Sequence, residues 1–294
     1  METVAICPLC ASKELSFAFH AVDNTVTHEQ FSVHLCANCS FLFTSPRPEQ
    51  DSIGAYYLSN NYISHTETAQ GLQDRVYHFV RRRALKGKYK LVARYAPEGA
   101  LLDVGCGTGD FLAYMAEHNY AVQGVEVSSD ARKITAKKNL RVAAHLDTLP
   151  DNDTFNIITL WHVLEHVPSP RATLLQLHTR CATGALLVIA VPDHESWDAQ
   201  HYGANWAAWD VPRHLSHFSR QDVKNLLKQT GFELLNIKPM WFDAPYVSML
   251  SEQNNGHGKL VSMLKGWTIG LWSNIIPLIS DRPTSSTLYV ARKA

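Results

Sequence analysis

The chain has 294 residues, of which 46% are hydrophobic and 18% are charged, and these values predict a globular protein with a buried core. Lysine plus arginine and aspartate plus glutamate both number 27, so the formal net charge is zero. Proteins that hold nucleic acid through phosphate contacts usually carry a basic excess, so this balance argues against such a partner. The first residues lack the basic and apolar regions of a secretory signal, so we expect a cytoplasmic protein.

Two pairs of cysteines come first along the chain. Cys7 and Cys10 form one CxxC motif, and Cys36 and Cys39 form another. Two such pairs supply four thiolates to a tetrahedral ion, and a site closed by four cysteines is structural. The sequence therefore predicts a zinc ribbon over residues 1–45, in which a β-hairpin connects the two pairs. The alternative is four reduced cysteines without metal, since disulfides are disfavoured without a secretory signal.

Residues 46–99 form the next predicted unit, a connector followed by N-terminal helices. The prolines of the segment 46–48 indicate a stiff linker, and a tyrosine-rich stretch with Tyr56, Tyr57 and Tyr62 follows. Apolar residues then recur at helical spacing over about 72–95, where the charges are mostly basic. This basic helix presents either a solvated face or a cradle for phosphates on an acceptor.

From residue 100 onward, apolar strand patterns alternate with helical patterns. Strands are predicted at 101–104, 121–125, 155–160, 186–191, 232–237 and 287–291, and helices at 110–118, 130–139, 170–181 and 220–230. Such alternation predicts an α/β domain over residues 100–294 with a doubly wound, mostly parallel sheet. The apolar stretch at 266–280 is shorter than the ~20 residues of a spanning helix. It is interpreted as a helix packed on protein, with a membrane-surface helix as the alternative.

A glycine loop separates the first of these strands from the first helix. Gly105, Gly107 and Gly109 alternate directly after Asp103, at the end of the strand. The spacing differs from the dinucleotide-binding GxGxxG, and it removes side chains that would keep a ligand from the backbone. Glu126 follows the next strand, where an acidic side chain can accept hydrogen bonds from both ribose hydroxyls. Both carboxylates are therefore expected at the carboxyl edge of the sheet, where ligands of such folds lie.

These motifs resemble those of class I S-adenosylmethionine-dependent methyltransferases over residues 100–237. The segment 103–109 looks like the first motif of that family, and Glu126 looks like its ribose-binding acid. The resemblance implies a Rossmann-like fold with a seven-stranded, mostly parallel sheet and S-adenosylmethionine as the cofactor. It also implies that Asp103 lies near the amino-acid part of the cofactor, and that His145 or Leu146 lines the adenine ring.

A finer resemblance involves the N-terminal part of the chain and a segment near residue 215. The predicted ribbon, the Pro-Arg-Pro connector and the segment 210–219 are similar to a subgroup of these enzymes with an N-terminal zinc ribbon. That subgroup is often linked to bacterial polysaccharide or sugar modification. The resemblance therefore implies an acceptor of that class.

Two histidine clusters are candidates for acid–base chemistry. Methyl transfer from a sulfonium depends largely on positioning, but an oxygen acceptor also needs a base. His162, Glu165 and His166 follow the strand at 155–160, next to the cofactor crevice, and His162 is expected to be a cofactor-binding residue. His214 and His217 follow the strand at 186–191. His166, His214 and His217 are the candidate bases. Alternatively, the first cluster is a capping and packing network, or it is the inverted zinc-protease motif, since HxxEH also matches that pattern. For the second cluster, the alternative is that its histidines hold a lid by hydrogen bonds.

An aromatic-rich insertion at about 193–219 surrounds the second cluster. It contains Trp197, Trp206 and Trp209, and it is predicted to close over the acceptor. The alternative is that these tryptophans are ordinary core residues.

The sequence as a whole predicts an enzyme that transfers a methyl group from S-adenosylmethionine to a small-molecule or carrier-linked acceptor, such as a sugar or glycan precursor. One alternative is an RNA or protein methyltransferase that uses the ribbon and the basic helix as docking surfaces, although zero net charge argues against RNA. The other is a non-catalytic scaffold that binds adenosylmethionine, against which the intact glycine loop and the two acids argue.

Overall fold

The N-terminal part of the chain forms a small antiparallel sheet. The computed structural model describes residues 1–57, 72–241 and 243–294, apart from the side chains of 72–80, so Tyr62 lies outside it. Strands β1 (Leu15–Val22), β2 (Gln30–Cys36) and β3 (Leu42–Thr44) pair in that order, and β1 and β2 form the hairpin predicted between the cysteine pairs. Asp23 closes the hairpin, because its carboxylate accepts hydrogen bonds from the backbone N–H groups of Thr25, Val26 and Thr27.

The C-terminal part of the chain builds a seven-stranded sheet, as predicted. Its strands are β4 (Ala100–Val104), β5 (Ala121–Val125), β6 (Val142–Ala143), β7 (Phe155–Trp161), β8 (Cys181–Pro192), β10 (Phe232–Pro239) and β11 (Ser286–Lys293), and β9 (Ser216–His217) lies outside this sheet. The order is β10-β11-β8-β7-β4-β5-β6, and β11 runs antiparallel to both of its neighbours. The strand order reverses between β4 and β7, which is where ligands of doubly wound sheets bind.

The described helices cover both faces of this sheet. They are α1 (Leu72–Tyr95), α2 (Asp110–Ala116), α3 (Ser129–Ala136), α4 (Pro170–Arg180), α5 (Trp197–Tyr202), α6 (Arg220–Gln229), α7 (Asp243–Asn254) and α8 (Lys259–Ile279). Side chains of β4 alternate between two cores: Leu101 packs with Leu91 of α1, and Leu102 packs with Leu174 of α4. Serine N-caps begin several helices; Ser219, for example, exchanges hydrogen bonds with Asp222 in a capping box at the start of α6.

The small sheet and the large domain are joined by the insertion. Strand β9 pairs with β3 in antiparallel register, so that Leu42 lies opposite His217. Phe41 contacts Phe218 with ring centres 5.5 Å apart, and both side chains belong to the core under the seven-stranded sheet. The ribbon is therefore packed into the main body of the protein.

Residues 162–169, which follow β7, form turns, and His162 adopts a left-handed φ of 56°. One segment departs from the sequence-based predictions. The predicted helix at 266–280 is part of the longer helix α8, and the expectation that it packs on protein is right for one of its faces only, because its large apolar side chains are exposed. Among the described residues, no helix combines the length and apolarity that crossing a membrane requires.

Candidate active site

The glycine loop forms a tight bend between β4 and α2. Gly105, Gly107 and Gly109 have φ angles of 67°, 54° and 77°, which L side chains rarely adopt. A Cβ atom on Gly105 would lie 2.5 Å from Cγ2 of Val163, and one on Gly109 would lie 2.8 Å from Leu140. A Cβ on Gly107 would meet no atom within 4 Å. Gly105 and Gly109 therefore allow the loop to pack, whereas Gly107 keeps the crevice open beside the backbone.

Glu126 lies directly against the glycine loop. Its Oε2 accepts a hydrogen bond of 2.8 Å from the backbone N–H of Gly107, and its Oε1 accepts one of 2.8 Å from that of Ser128. Both carboxylate oxygens are held by backbone donors, so the half-buried side chain has a defined position at the end of β5. Its ribose-binding role stays a prediction.

Asp103 lies beneath the loop rather than at its surface. It is buried, and Oγ1 of Thr159 on β7 donates a hydrogen bond of 2.6 Å to its Oδ1. Burial raises the pKa of the Asp103 carboxyl to about 7, although the hydrogen bond from Thr159 and the charge of Lys88 both act to lower this pKa. Asp103 therefore ties β4 to β7 at the point where the strand order reverses.

His145 and Leu146 follow β6, at the far side of Glu126. His145 is exposed, and Leu146 is half-buried at the start of a short 3₁₀ helix, Leu146–Thr148. β6 pairs with β5, so both residues lie on the flank of the crevice beyond the ribose acid. Their contact with an adenine ring stays a prediction.

His162 stands at the end of β7 between two carboxylates. Its Nδ1 lies 3.3 Å from Oε1 of Glu165, and its Nε2 lies 3.0 Å from Oδ2 of Asp243, the first residue of α7. Burial opposes the charge on His162, but Asp243 and Glu165 outweigh it and raise the pKa of His162 to about 10. His162 is therefore an imidazolium that connects β7 to the C-terminal helices.

His166 and His214 come together from the two predicted clusters. Their ring centres are 4.6 Å apart. Nδ1 of His166 lies 3.0 Å from the backbone carbonyl of Arg213, and Nδ1 of His214 lies 2.8 Å from that of Ala208. The hydroxyl of Tyr57 also lies 3.1 Å from Nδ1 of His166.

The carboxylate of Glu165 completes this histidine pair. Glu165 is 1% exposed, and one of its carboxylate oxygens and one ring nitrogen from each of His166 and His214 all lie within 4.8 Å of one another. Burial and the neighbouring His214 lower the pKa of His166 to about 4. The ring of His166 is therefore neutral near pH 7.

His217, the third candidate base, is placed differently. It lies on β9, it is buried, and its Nε2 is 3.0 Å from Oγ1 of Thr44 on β3. Burial lowers its pKa well below the usual range. The side chain is thus engaged at the junction between the ribbon and the insertion.

The tryptophans of the insertion also belong to this junction. Trp206 and Trp209 are buried in a core that includes Phe31 and Val33 of the ribbon, and Trp197 is half-buried on α5. The expectation that they close over the acceptor is therefore wrong for Trp206 and Trp209. These two are core residues, which was the alternative interpretation.

The four N-terminal cysteines converge as the CxxC spacing predicted. The Sγ atoms of Cys7 and Cys39 are 3.6 Å apart, as are those of Cys10 and Cys36, and all four lie within 4.8 Å of one another. A tetrahedral zinc with Zn–S bonds of about 2.3 Å separates its sulfurs by about 3.8 Å. The arrangement therefore fits a four-cysteine zinc site.

Several polar residues at the crevice escaped the sequence analysis. Asp243 lies far from His162 in sequence, and no motif signals their contact. The ammonium of Lys88 lies 4.3 Å from the ring centre of Trp161, and burial lowers its pKa, opposed by Asp103 and Asp243. The apolar periodicity of α1 does not indicate that Lys88 turns inward. Arg81 of the same helix is half-buried beside Asp110, and the side chains of Arg82, Arg83, Lys86, Lys90 and Arg94 are exposed.

Known proteins share both the sequence pattern and the fold. Residues 76–237 match the sequence profile of a family described as a methyltransferase domain. The chain is 26% identical over 155 residues to an uncharacterized protein of Methanocaldococcus jannaschii, and this match covers 52% of this chain and 73% of that protein. It is 23% identical over 180 residues to the ubiquinone biosynthesis O-methyltransferase of Idiomarina loihiensis, covering 56% and 74%.

A shorter match is closer in sequence, and a solved structure extends the likeness in fold. The mitochondrial ubiquinone biosynthesis O-methyltransferase of Candida albicans is 32% identical over 111 residues, or 33% of this chain and 34% of that protein. The magnesium protoporphyrin IX methyltransferase of Synechocystis PCC 6803, solved with bound S-adenosylhomocysteine, has a TM-score of 0.54 at 10% identity and covers 83% of this chain and 100% of its own. The family profile spans more than half of the chain, which therefore belongs to the methyltransferase-domain family and is an S-adenosylmethionine-dependent methyltransferase.

Proposed function

We propose that this enzyme transfers a methyl group to a hydroxyl oxygen of a small-molecule or carrier-linked acceptor, such as a sugar or glycan precursor. The observation that carries the proposal is the His166–His214 pair, which lies next to Glu165, while Glu165 also approaches His162 at the end of β7. Transfer to an uncharged hydroxyl needs a base, whereas transfer to an amine or thiolate does not need one to the same degree. The names of the ubiquinone relatives also describe transfer to oxygen.

The cofactor would be held along the loop and the ends of β4, β5 and β6. Glu126 would accept hydrogen bonds from the ribose hydroxyls, and His145 and Leu146 would border the adenine ring. The open side of Gly107 would admit the amino-acid part of the cofactor above Asp103. His162 would lie next to that end of the ligand, where its charge is already balanced by two carboxylates.

The base would be His166 or His214. When Nδ1–H donates to a backbone carbonyl, the neutral imidazole keeps its lone pair on Nε2, which can accept a proton. Glu165 and Asp210 lie next to the pair, with Oδ2 of Asp210 3.8 Å from Nε2 of His214, and either carboxylate would stabilise the imidazolium that forms. His217 remains the third candidate, although its Nε2 is shared with Thr44.

The four cysteines would hold one structural zinc ion. All four coordination positions would be occupied by protein sulfur, so the metal would take no part in the transfer itself. Its contribution would be to stabilise a small sheet whose strand β3 supports β9 of the insertion.

A panel of acceptor classes tests the proposed function. The purified enzyme is incubated with methyl-labelled S-adenosylmethionine and, separately, with nucleotide sugars, lipid-linked sugars, phenols, RNA and a protein extract. We expect label on a hydroxyl of a sugar or another small or carrier-linked acceptor. Label only in RNA or protein, or only on nitrogen, would contradict the proposal.

A further inference from the structure

The last two helices form a hairpin that packs through small residues. The buried stripe of α8 consists of Ser262, Gly266, Gly270 and Ser273, and its two glycines face α7. A Cβ atom on Gly266 would lie 2.3 Å from the Cα of Met249, and one on Gly270 would lie 2.3 Å from the Cα of Pro245. The two backbones are therefore in direct contact, as in the small-xxx-small packing of helices within lipid.

The large apolar side chains of α8 point away from the protein. Leu264 is 60% exposed and Leu271 is 51% exposed, and neighbouring residues of the helix are exposed to similar degrees. We call this set the apolar face of α8: Leu260, Val261, Met263, Leu264, Trp267, Leu271, Trp272, Ile275, Leu278 and Ile279. Scattered exposed apolar residues are ordinary, but a continuous face of ten along one helix marks a binding surface.

Several polar groups of the hairpin point inward. The buried carboxylate of Asp198 accepts hydrogen bonds from Ser273 of α8 at 2.7 Å and from Trp206 of the insertion at 2.8 Å. The buried Glu252 of α7 accepts a hydrogen bond of 3.1 Å from the hydroxyl of Tyr202. The hairpin is thus fixed to the body by polar contacts while it exposes its apolar side chains, which reverses the usual arrangement in water.

We propose that the apolar face of α8 lies in the surface of a lipid bilayer that carries anionic headgroups. The helix would lie in the plane of the interface, since none of the described helices can span a membrane. Trp267 and Trp272 are amphipathic rings of the kind found at membrane–water interfaces. Lys259 and Lys265 are exposed on the same helix, and no acidic residue occurs between Lys259 and Ile279. This charge pattern complements anionic lipid.

The same charges disfavour a second copy of the chain as the occupant. A two-fold dimer places the same surface patch of both copies together. If the apolar face of α8 formed that patch, Lys259 and Lys265 of each copy would approach lysines of the other copy with no carboxylate from α8 to pair with. A bilayer surface supplies both the apolar layer and the negative charge.

The position of the hairpin also connects this surface to the active site. Helix α7 begins with Asp243, which contacts His162 at the end of β7, and Asn274 of α8 donates a hydrogen bond of 2.7 Å to the backbone carbonyl of Trp241. The apolar face therefore lies on an element that also borders the crevice. This part of the inference rests on the proposed function: the carrier of the acceptor would be a membrane lipid.

Vesicle cosedimentation with the full chain tests the membrane surface. Vesicles of phosphatidylcholine alone are compared with vesicles that also contain phosphatidylglycerol, and we expect binding to the anionic vesicles. The double variant Leu264→Glu, Leu271→Glu should bind at least about tenfold less, because two charges would enter the apolar layer. Leu175→Glu is the matched control, since Leu175 is a 43% exposed leucine on α4, and it should bind like the wild type. Lys259→Gln with Lys265→Gln should reduce the preference for anionic vesicles.

Three results would overturn the membrane surface. They are absence of wild-type binding, equal binding by the Leu264/Leu271 double variant, and a wild-type oligomer that this variant dissociates without any vesicle binding. Thermal midpoints and adenosylhomocysteine affinity, measured in parallel, should not change in the variants, because the substituted side chains are exposed. Vesicle binding does not depend on methyl transfer, so a membrane-bound enzyme that methylates no lipid-linked acceptor would support the surface and contradict only the acceptor.

Discussion

Phe43 of the ribbon pairs with Ser216 of the insertion in one antiparallel ladder, and the neighbouring Thr44 donates a hydrogen bond of 2.8 Å to the backbone carbonyl of His214. The segment that follows His214 is therefore a strand of the ribbon's own sheet. A second link reinforces the first: the buried guanidinium of Arg213 contacts Asp23 in the ribbon turn at 3.0 Å and Asp210 at 2.6 Å. Loosening the ribbon should consequently disturb the acceptor side of the site more than the cofactor side.

The first prediction concerns the metal. Wild-type protein should copurify with about one zinc per chain, and Cys36→Ser should lose it, because three sulfurs leave the tetrahedral site open. We expect acceptor turnover to fall in this variant while adenosylhomocysteine affinity changes by less than about threefold, since the cofactor loop lies on β4. Elemental analysis, turnover and calorimetry measure these quantities. Cys181→Ser is the control, because Cys181 is buried outside the cluster; metal loss in both variants, or in neither, would contradict the assignment.

The second prediction concerns the open side of the glycine loop. Gly107→Ala should weaken adenosylhomocysteine binding by roughly tenfold or more, because the added methyl group would project into the crevice. Gly184→Ala is a matched control: Gly184 also has a left-handed φ, of 68°, and equally free space around a Cβ, but it lies on β8 away from the loop. Both variants carry a similar backbone strain of about 1–2 kcal/mol. Equal affinities in calorimetry would remove Gly107 from the cofactor site.

The third prediction concerns the base. His166→Gln or His214→Gln should lower turnover by roughly 10²–10⁴ with little change in cofactor affinity, because glutamine keeps polar contacts but accepts no proton. His217→Gln should mainly lower the thermal midpoint, since the ring is buried and bonded to Thr44. Turnover and thermal midpoint are measured for all three. If only His217→Gln abolished turnover, the base would be His217; if all three retained it, the reaction would proceed without a histidine base.

The sheet and the cofactor loop could be predicted from the sequence because their signals are local. Continuous apolar runs identify β4 and β5, and the three glycines identify the loop by spacing alone. The cysteine pairs likewise carry their own geometry. All of these features depend on residues that lie next to each other in the chain or in adjacent strands.

The proposed acceptor side could not be predicted in the same way, because its residues are brought together by long-range contacts. Nothing in the local pattern indicates that Asp243 meets His162, that Asp23 meets Arg213, or that β9 leaves the insertion to join the ribbon. Trp206 and Trp209 were predicted to line the acceptor because they are aromatic, but residue type does not reveal which strands cover a side chain and bury it. The hairpin of α7 and α8 misled the prediction for another reason: apolarity indicates burial, whereas here the small residues are buried and the large ones are exposed.

The last prediction concerns the charge on His162. Its pKa in the folded protein is raised to about 10 from the ordinary 6.5, mainly through Asp243 and Glu165 against the cost of burial. A group whose pKa rises on folding stabilises the protein fully below the unfolded value, and the stabilisation is lost as pH rises through the folded value. The thermal midpoint of the wild type should therefore exceed that of His162→Gln by a constant amount below about pH 6.5, and the difference should shrink between about pH 6.5 and 10.

Two variants make the pH prediction specific. The thermal midpoint of Asp243→Asn should also lie below that of the wild type at low pH, by less than that of His162→Gln, and this gap should shrink at high pH in the same way. The reason is that the substitution removes one of the two carboxylates that contact the imidazolium. His20→Gln, a substitution of an exposed histidine on β1, controls for the loss of a histidine as such and should track the wild type at every pH. A gap between wild type and His162→Gln that stayed constant up to pH 10 would show that His162 is not held as a cation, and that it is a neutral ring whose single N–H can donate to only one of the two carboxylates.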